Sequence, residues 1–273
     1  MELLKLESLA LWISLIGYSL TCIIAIITTV FKKRPDRTLL ALMSASVASH
    51  MLAIGARWIR LEHVPVSNSF ELLSGNVCGL MIAVVLAYWL MPRVRGFIVI
   101  VMPVVIMLMA WMLLLSEEGS SLPASYHTIW LYIHIAFYKV FLGSAFIALG
   151  MAGIVLLRAA HIGRTQFSAM PSDLSLDQTA YRFMALALIF DTLGMVAGAI
   201  WAEDAWGRYW SWDTLEVWAL VTWLSIGLML HVRSSFRTGP ATNALLILGS
   251  WAIAFFTFFG IPFVSTALHK GMV

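Results

Sequence analysis

Residues 129–157 read IWLYIHIAFYKVFLGSAFIALGMAGIVLL, an unbroken apolar run with one full charge, Lys139. A helix needs about 20 apolar residues to cross the hydrocarbon of a bilayer. The run is continuously apolar rather than alternating, which fits a membrane helix and not a barrel strand. It is long for one crossing, so the expected helix tilts or projects beyond the bilayer. Working outward, the same reading predicts spans at about 8–31, 37–58, 74–91 and 97–115 before it. Three more follow it, at about 180–202, 216–232 and 243–263. The chain as a whole is 61% hydrophobic and 11% charged, where soluble domains have about 45–50% and about 25%. A soluble fold this apolar would expose greasy surface to water and aggregate. The expected fold is all-α: a polytopic membrane helix bundle of about eight transmembrane helices, forming a single membrane domain over residues 1–273.

The N-terminal MELLKLESLALWISLIGYSL is read as the first span and not as a secretory signal. Glu2 and Glu7 spoil a basic leader, and no small-residue cleavage site follows. The net charge of +3 is no sign of nucleic-acid binding, because the basic residues sit between hydrophobic runs. Eleven Lys and Arg fall in one set of connections, at 32–37, 93–95, 158–182 and 233–237, and five in the other. The richer set belongs in the cytoplasm by the positive-inside rule. Both termini then lie outside, as do segments 59–73, 116–128 and 203–215. Cys22 and Cys78 each lie inside an apolar run and form no CxxC, so neither a thiol relay nor a zinc site is implied.

The most unusual stretch is WAEDAWGRYWSWDTLEVWALVTW, Trp201 to Trp223, which holds six of the twelve tryptophans. Tryptophan favours membrane interfaces, and that explains rings at helix ends. It explains less well Trp206, Trp210 and Trp212 within seven residues, interleaved with Gly207, Arg208, Tyr209 and Asp213. The functional reading is a platform for a large flat apolar ligand, since indoles offer broad faces with one N–H each. Gly207 would let backbone approach closely, and Arg208 could meet a carboxylate bidentately. A porphyrin, a flat macrocycle with two propionates, fits that description. Asp213 and Glu216 alternatively cap the start of the seventh helix.

Of the seven histidines, His134 lies near the outer end of the fifth span and His269 just beyond the outer end of the eighth. Two imidazoles flanking a porphyrin-sized platform suit axial ligation of haem iron, against the plainer alternative of polar residues in satisfied places. His231 ends the seventh span on the opposite side, where a helix C-terminus favours it. It is too far away to share a ligand with the outer pair. His50 is intramembrane, and such a residue is a functional candidate by default. Lys139 and Asp191 have similar depths and are expected to pair, because each alone in hydrocarbon is costly.

These residues carry a family resemblance. WGRYWSWDTLEVWALVTWL is similar to the WWD motif of the CcsA/ResC family of system II cytochrome c biogenesis. HVPVSNSFELL at 63–73, LYIHIAFYKVFLGSAFIAL, LMLHVR and FVSTALHKGMV resemble further segments of that family, so the resemblance covers nearly the whole chain. The related motif of CcmC and CcmF proteins differs after WD, where CcmC lacks the E-x-W pattern.

The resemblance implies haem delivery across or at the membrane and covalent attachment of haem b to the CxxCH cysteines of apocytochrome c. The chain would act with a CcsB/ResB-like membrane partner as part of a holocytochrome c synthase, or haem lyase. His134 and His269 would be outer axial ligands and His231 an intramembrane ligand on the way in, its fellow ligand coming from the partner. The motif, Trp206 to Trp218, would hold the haem. The expected location is the bacterial inner membrane, or alternatively a thylakoid membrane. Two rivals are a haem transporter without synthase activity and a b-type haem electron-transfer subunit. The second should pair histidines at matched depths on both sides, and the cytoplasmic side offers only His231 in a helix.

Overall fold

A computed structural model describes residues 1–32, 35–119, 121–123 and 126–264. Among the described residues eight helical segments are long and apolar enough to cross a membrane. They are built on α1 (Glu2–Val30), α2 (Asp36–Leu61), α3 (Ser69–Leu90), α4 (Ile98–Met112), α5 (Ile129–Ala159), α6 (Asp173–Trp206), α7 (Thr214–Phe236) and α8 (Pro240–Phe255), with α4 and α8 reaching that length together with the turns that adjoin them, as Pro92–Met112 and Pro240–Gly260. A 3-10 turn, Pro92–Phe97, leads into α4, and a π-helical turn, Phe256–Gly260, follows α8 before the short α9 (Ile261–Val264). Eight alternating crossings put Glu2, the 207–213 connection and the end of α8 at one end of the bundle, termed the tryptophan-rich end.

Every predicted span is present, and most helices run past the apolar stretch that marks them. Hydropathy senses where hydrocarbon begins, whereas a helix continues until its backbone is capped. Asn68 caps α3 by accepting from the Glu71 N–H at 2.9 Å, so α3 starts before residue 74. Ser172 caps α6, and Gly207, at φ +72°, ends it in a left-handed turn whose N–H bonds the Glu203 carbonyl. Residues 203–206 of the expected outer segment are therefore the last turn of α6. At 1.5 Å per residue, α5 and α6 exceed the hydrocarbon core of about 30 Å.

Helix α5 is the hub, packing against α3, α4, α6 and α8. All of Phe141–Val155 except Gly153 is buried. By contrast α1 shows Leu9, Trp12, Ile13, Ile16, Leu20 and Ile23 to the outside. A helix apolar on its outward face as well as inward belongs in lipid. Helix α7 is peripheral. It is joined to α8 by the buried Thr222–Thr257 hydroxyl pair at 2.8 Å, with Thr257 lying in the π-helical turn.

Several charges assigned by sequence to the connections are in fact fixed within the bundle. Arg57, which with Lys5, Arg60, Arg208 and Lys270 makes up the smaller set of five basic residues assigned to the outer side, is 3% exposed inside α2. Its guanidinium donates to Glu7 of α1 at 2.7 Å, to Glu71 of α3 at 2.9 Å and to the Glu117 carbonyl at 3.0 Å. Arg60 donates to the second Glu7 oxygen at 2.9 Å. The Ser67 N–H and hydroxyl also donate to Glu71. At the opposite end Arg95 pairs with Asp36, Arg158 with Asp173, and Arg233 with Asp177.

Candidate functional site

His134 sits two turns into α5 at the tryptophan-rich end. Its Nδ1 lies 2.8 Å from the Gly194 carbonyl of α6. A carbonyl only accepts, so Nδ1 carries the proton and Nε2 is the ring's lone-pair nitrogen. A histidine fixed in this way by a backbone carbonyl is oriented for metal ligation. Close approach makes the contact possible: a Cβ on Gly198 would fall 2.5 Å from the imidazole, and one on Gly194 would fall 3.0 Å from the Tyr138 ring. Gly194 and Gly198 form a small-xxx-small pair on α6, the pattern that lets membrane helices pack backbone to backbone.

Trp201 stacks on the His134 ring at 5.9 Å and 26°, and Tyr138 meets its edge at 4.8 Å. Trp201 in turn touches Trp206 at 5.0 Å and Tyr126 at 5.2 Å. Trp206 thus joins His134 through Trp201, a residue that the sequence placed in the tryptophan-rich stretch but not among the platform residues. The signal was available, because Trp201 precedes Trp206 by five residues and so lies within a turn and a half of it.

The rest of the motif divides. Gly207 has open space where a Cβ would stand, so its role here is to cap α6 and not to admit a close backbone. Arg208 and Tyr209 are exposed. Trp210 and Trp212 meet edge to face at 5.8 Å. Trp212 is 72% exposed at φ +59°, and the Trp210 indole N–H is buried without a hydrogen-bond partner among the described residues. Asp213 and Glu216 form a reciprocal capping box at the start of α7, the structural alternative raised by the sequence. Trp218 packs edge-on to Phe256 at 4.8 Å, where the π-helical turn begins.

A cavity of about 930 Å³ opens between α2, α3 and α5. It runs along α3 from Glu71 to Leu90, with His134, Tyr138 and Trp201 in its wall. The size falls at the upper end of ordinary ligand pockets, about 300–1,000 Å³. Lys139 also lines it, with its stem on the small-residue face of α3: a Cβ on Gly79 would lie 3.0 Å from Lys139 Cδ. The ammonium donates to Asn76.

This overturns the expected Lys139–Asp191 pair. Equal depth places two residues in one layer, but helix rotation decides whether they meet. Lys139 faces α3, and Asp191 is 0% exposed within α6 with no partner for either oxygen among the described residues.

The remaining histidines separate by role. His50 is wholly buried between the Tyr18 hydroxyl at 3.4 Å and the Ser74 hydroxyl at 3.0 Å, which gives both ring nitrogens protein partners. His231 is exposed on the side of α7 near the opposite end. His269 lies outside the described residues. Among the described residues no three His, Cys, Asp or Glu side chains converge on one point. A porphyrin brings four nitrogens of its own, so iron held in one needs only axial ligands of the kind His134 offers.

The family described as Cytochrome C assembly protein matches residues 7–269. The cytochrome c biogenesis protein CcsA of Guillardia theta is 28% identical over 288 residues, covering 96% of this chain and 93% of that protein. CcsA of Carica papaya is 37% identical over 95 residues, 35% of this chain and 30% of that protein. Among solved structures, Cytochrome c Heme Lyase CcmF superposes with a TM-score of 0.75 at 15% identity, over 98% of this chain and 48% of that one. The likeness to CcmF shows a shared fold.

Proposed function

The chain belongs to the cytochrome c assembly protein family and is an integral membrane protein with a role in cytochrome c maturation; from this premise we propose that it holds haem b at its tryptophan-rich end for attachment to apocytochrome c. The observation that carries the reading is His134, with its tautomer set by the Gly194 carbonyl and its ring stacked on Trp201 in the wall of a large cavity. His134 and His269 are the axial ligands. Trp206, Trp210, Trp212 and Trp218 with Gly207, Arg208, Tyr209 and Asp213 form the platform and its supports. That end faces the exterior of the bacterial inner membrane, an orientation supported by the richer set of basic residues at the other end. His231, exposed on α7, takes its fellow ligand from a CcsB/ResB-like partner.

The chemistry asked of the chain is modest. Each cysteine S–H of a CxxCH segment adds across a haem vinyl group: an S–C bond forms, the vinyl π bond is consumed, and the proton ends on the adjacent carbon. The macrocycle supplies the reactivity. The protein contributes orientation and proximity, which turn a slow encounter into an intramolecular step.

The test is the absorption spectrum of the full chain purified in detergent with its partner, compared with His134→Ala and His269→Ala. The expected result is a Soret band that weakens or shifts in both variants. A folded wild-type complex that carries no haem sinks the reading. A haem complex that never yields a thioether in a coupled assay reduces it to transport.

A further inference from the structure

The cavity along α3 carries two charged side chains, Glu71 and Lys139. Glu71 is engaged by Arg57 and Ser67. Lys139 is not balanced in this way: its partner is the neutral amide of Asn76, and no carboxylate pairs with it among the described residues. It stands ten residues into α5, about 15 Å of helix from Ile129, and the cavity it lines has largely apolar walls, Ile82, Ala83, Leu86 and Leu142 among them. A cation at membrane depth is costly unless an anion meets it. Asp191 does not do so, and a phospholipid headgroup resides at the interface and not at this depth. The anion must arrive on a molecule whose body is itself apolar.

We propose that the α3–α5 cavity is a binding site for an apolar molecule bearing a carboxylate, with Lys139 and Asn76 as the acid's receptor at mid-membrane. An ammonium and an amide N–H₂ side by side suit two carboxylate oxygens, and charge-assisted bonds are the strong ones in such surroundings. The porphyrin propionate is the acid that follows from the proposed function, and the inference rests on that reading for the acid's identity alone. A free fatty acid offers the same chemistry, and the test separates the two.

Binding is read on the full-length protein in detergent as quenching of tryptophan fluorescence, since Trp58 and Trp201 line the cavity. The probes are metal-free protoporphyrin IX, its dimethyl ester, and oleate as competitor. Without iron the first probe owes nothing to histidine ligation, so this result stands apart from the Soret experiment. The free acid should bind the wild type at least tenfold more tightly than the ester. Lys139→Met should lose at least tenfold for the acid and leave the ester unchanged, while Lys139→Arg retains the acid. A Lys139-dependent site for oleate but not for protoporphyrin assigns the receptor to a fatty acid. Acid and ester binding the wild type alike, with oleate indifferent to Lys139→Met, overturns the proposal. If Lys139→Met fails to fold, two readings on the wild type decide the matter: acid and ester binding alike, with no binding of oleate, overturns the proposal.

Discussion

Arg57 and Lys139 are both cations inside the helix bundle, yet their surroundings are opposite. Arg57 is enclosed by two carboxylates and a backbone carbonyl drawn from α1, α3 and the segment after α4. Lys139 lies against glycines with one neutral amide for company and a cavity beside it. A buried charge whose partners are all protein groups serves the architecture. One whose partners are incomplete, next to empty space, serves something that is not part of the chain.

The contrast can be broken most forcefully at Arg57. Arg57→Met leaves Glu71 buried without its cation and Glu7 with Arg60 alone, and the cost of orphaning a buried charge is about 3–5 kcal/mol. The expected outcome in a detergent melt is a large drop in Tm or loss of folded protein. A variant melting like the wild type would show that water reaches the cluster. Lys139→Met, by comparison, removes a charge that no carboxylate balances among the described residues and keeps most of the stem. Its stability should change by about 1 kcal/mol or less, in either direction, with the acid-binding loss described above as its main effect. Asp191→Asn should do least. With no partner to lose, its Tm should stay within about 2–4 °C of the wild type, the shift that corresponds to about 1 kcal/mol in a chain of this size. A strong destabilisation would reveal a bound cation or water network around Asp191.

The eight crossings were legible because a bilayer demands long apolar runs, and that demand is written residue by residue. Helix ends were less so, since Asn68, Ser172 and Gly207 act through caps that lie outside the hydropathic signal. His134 and the tryptophan segment stood out by residue type. What made His134 a fixed imidazole, the Gly194 carbonyl, did not. The glycine spacing on α6 hinted at close packing, but a backbone acceptor has no letter in the sequence. The false Lys139–Asp191 pair has the same origin: depth follows from position along a helix, whereas facing depends on how helices are rotated against one another. Arg57 lies at the end of the bundle to which its position assigned it, but proximity to a connection says nothing of burial.

The π-helical turn at Phe256–Gly260 amounts to one extra residue accommodated inside an otherwise regular helix. Each residue advances an α-helix by about 100°, so the insertion changes the phase of everything that follows it. Removing a single residue from this turn would leave the chain nearly as long and as apolar. It would nevertheless turn Ile261–Val264 to a different compass bearing, and uncouple Thr257 from Thr222 on the way. The direction in which the chain leaves α8 is thus written partly as a count, and a count can be altered without changing the character of any side chain.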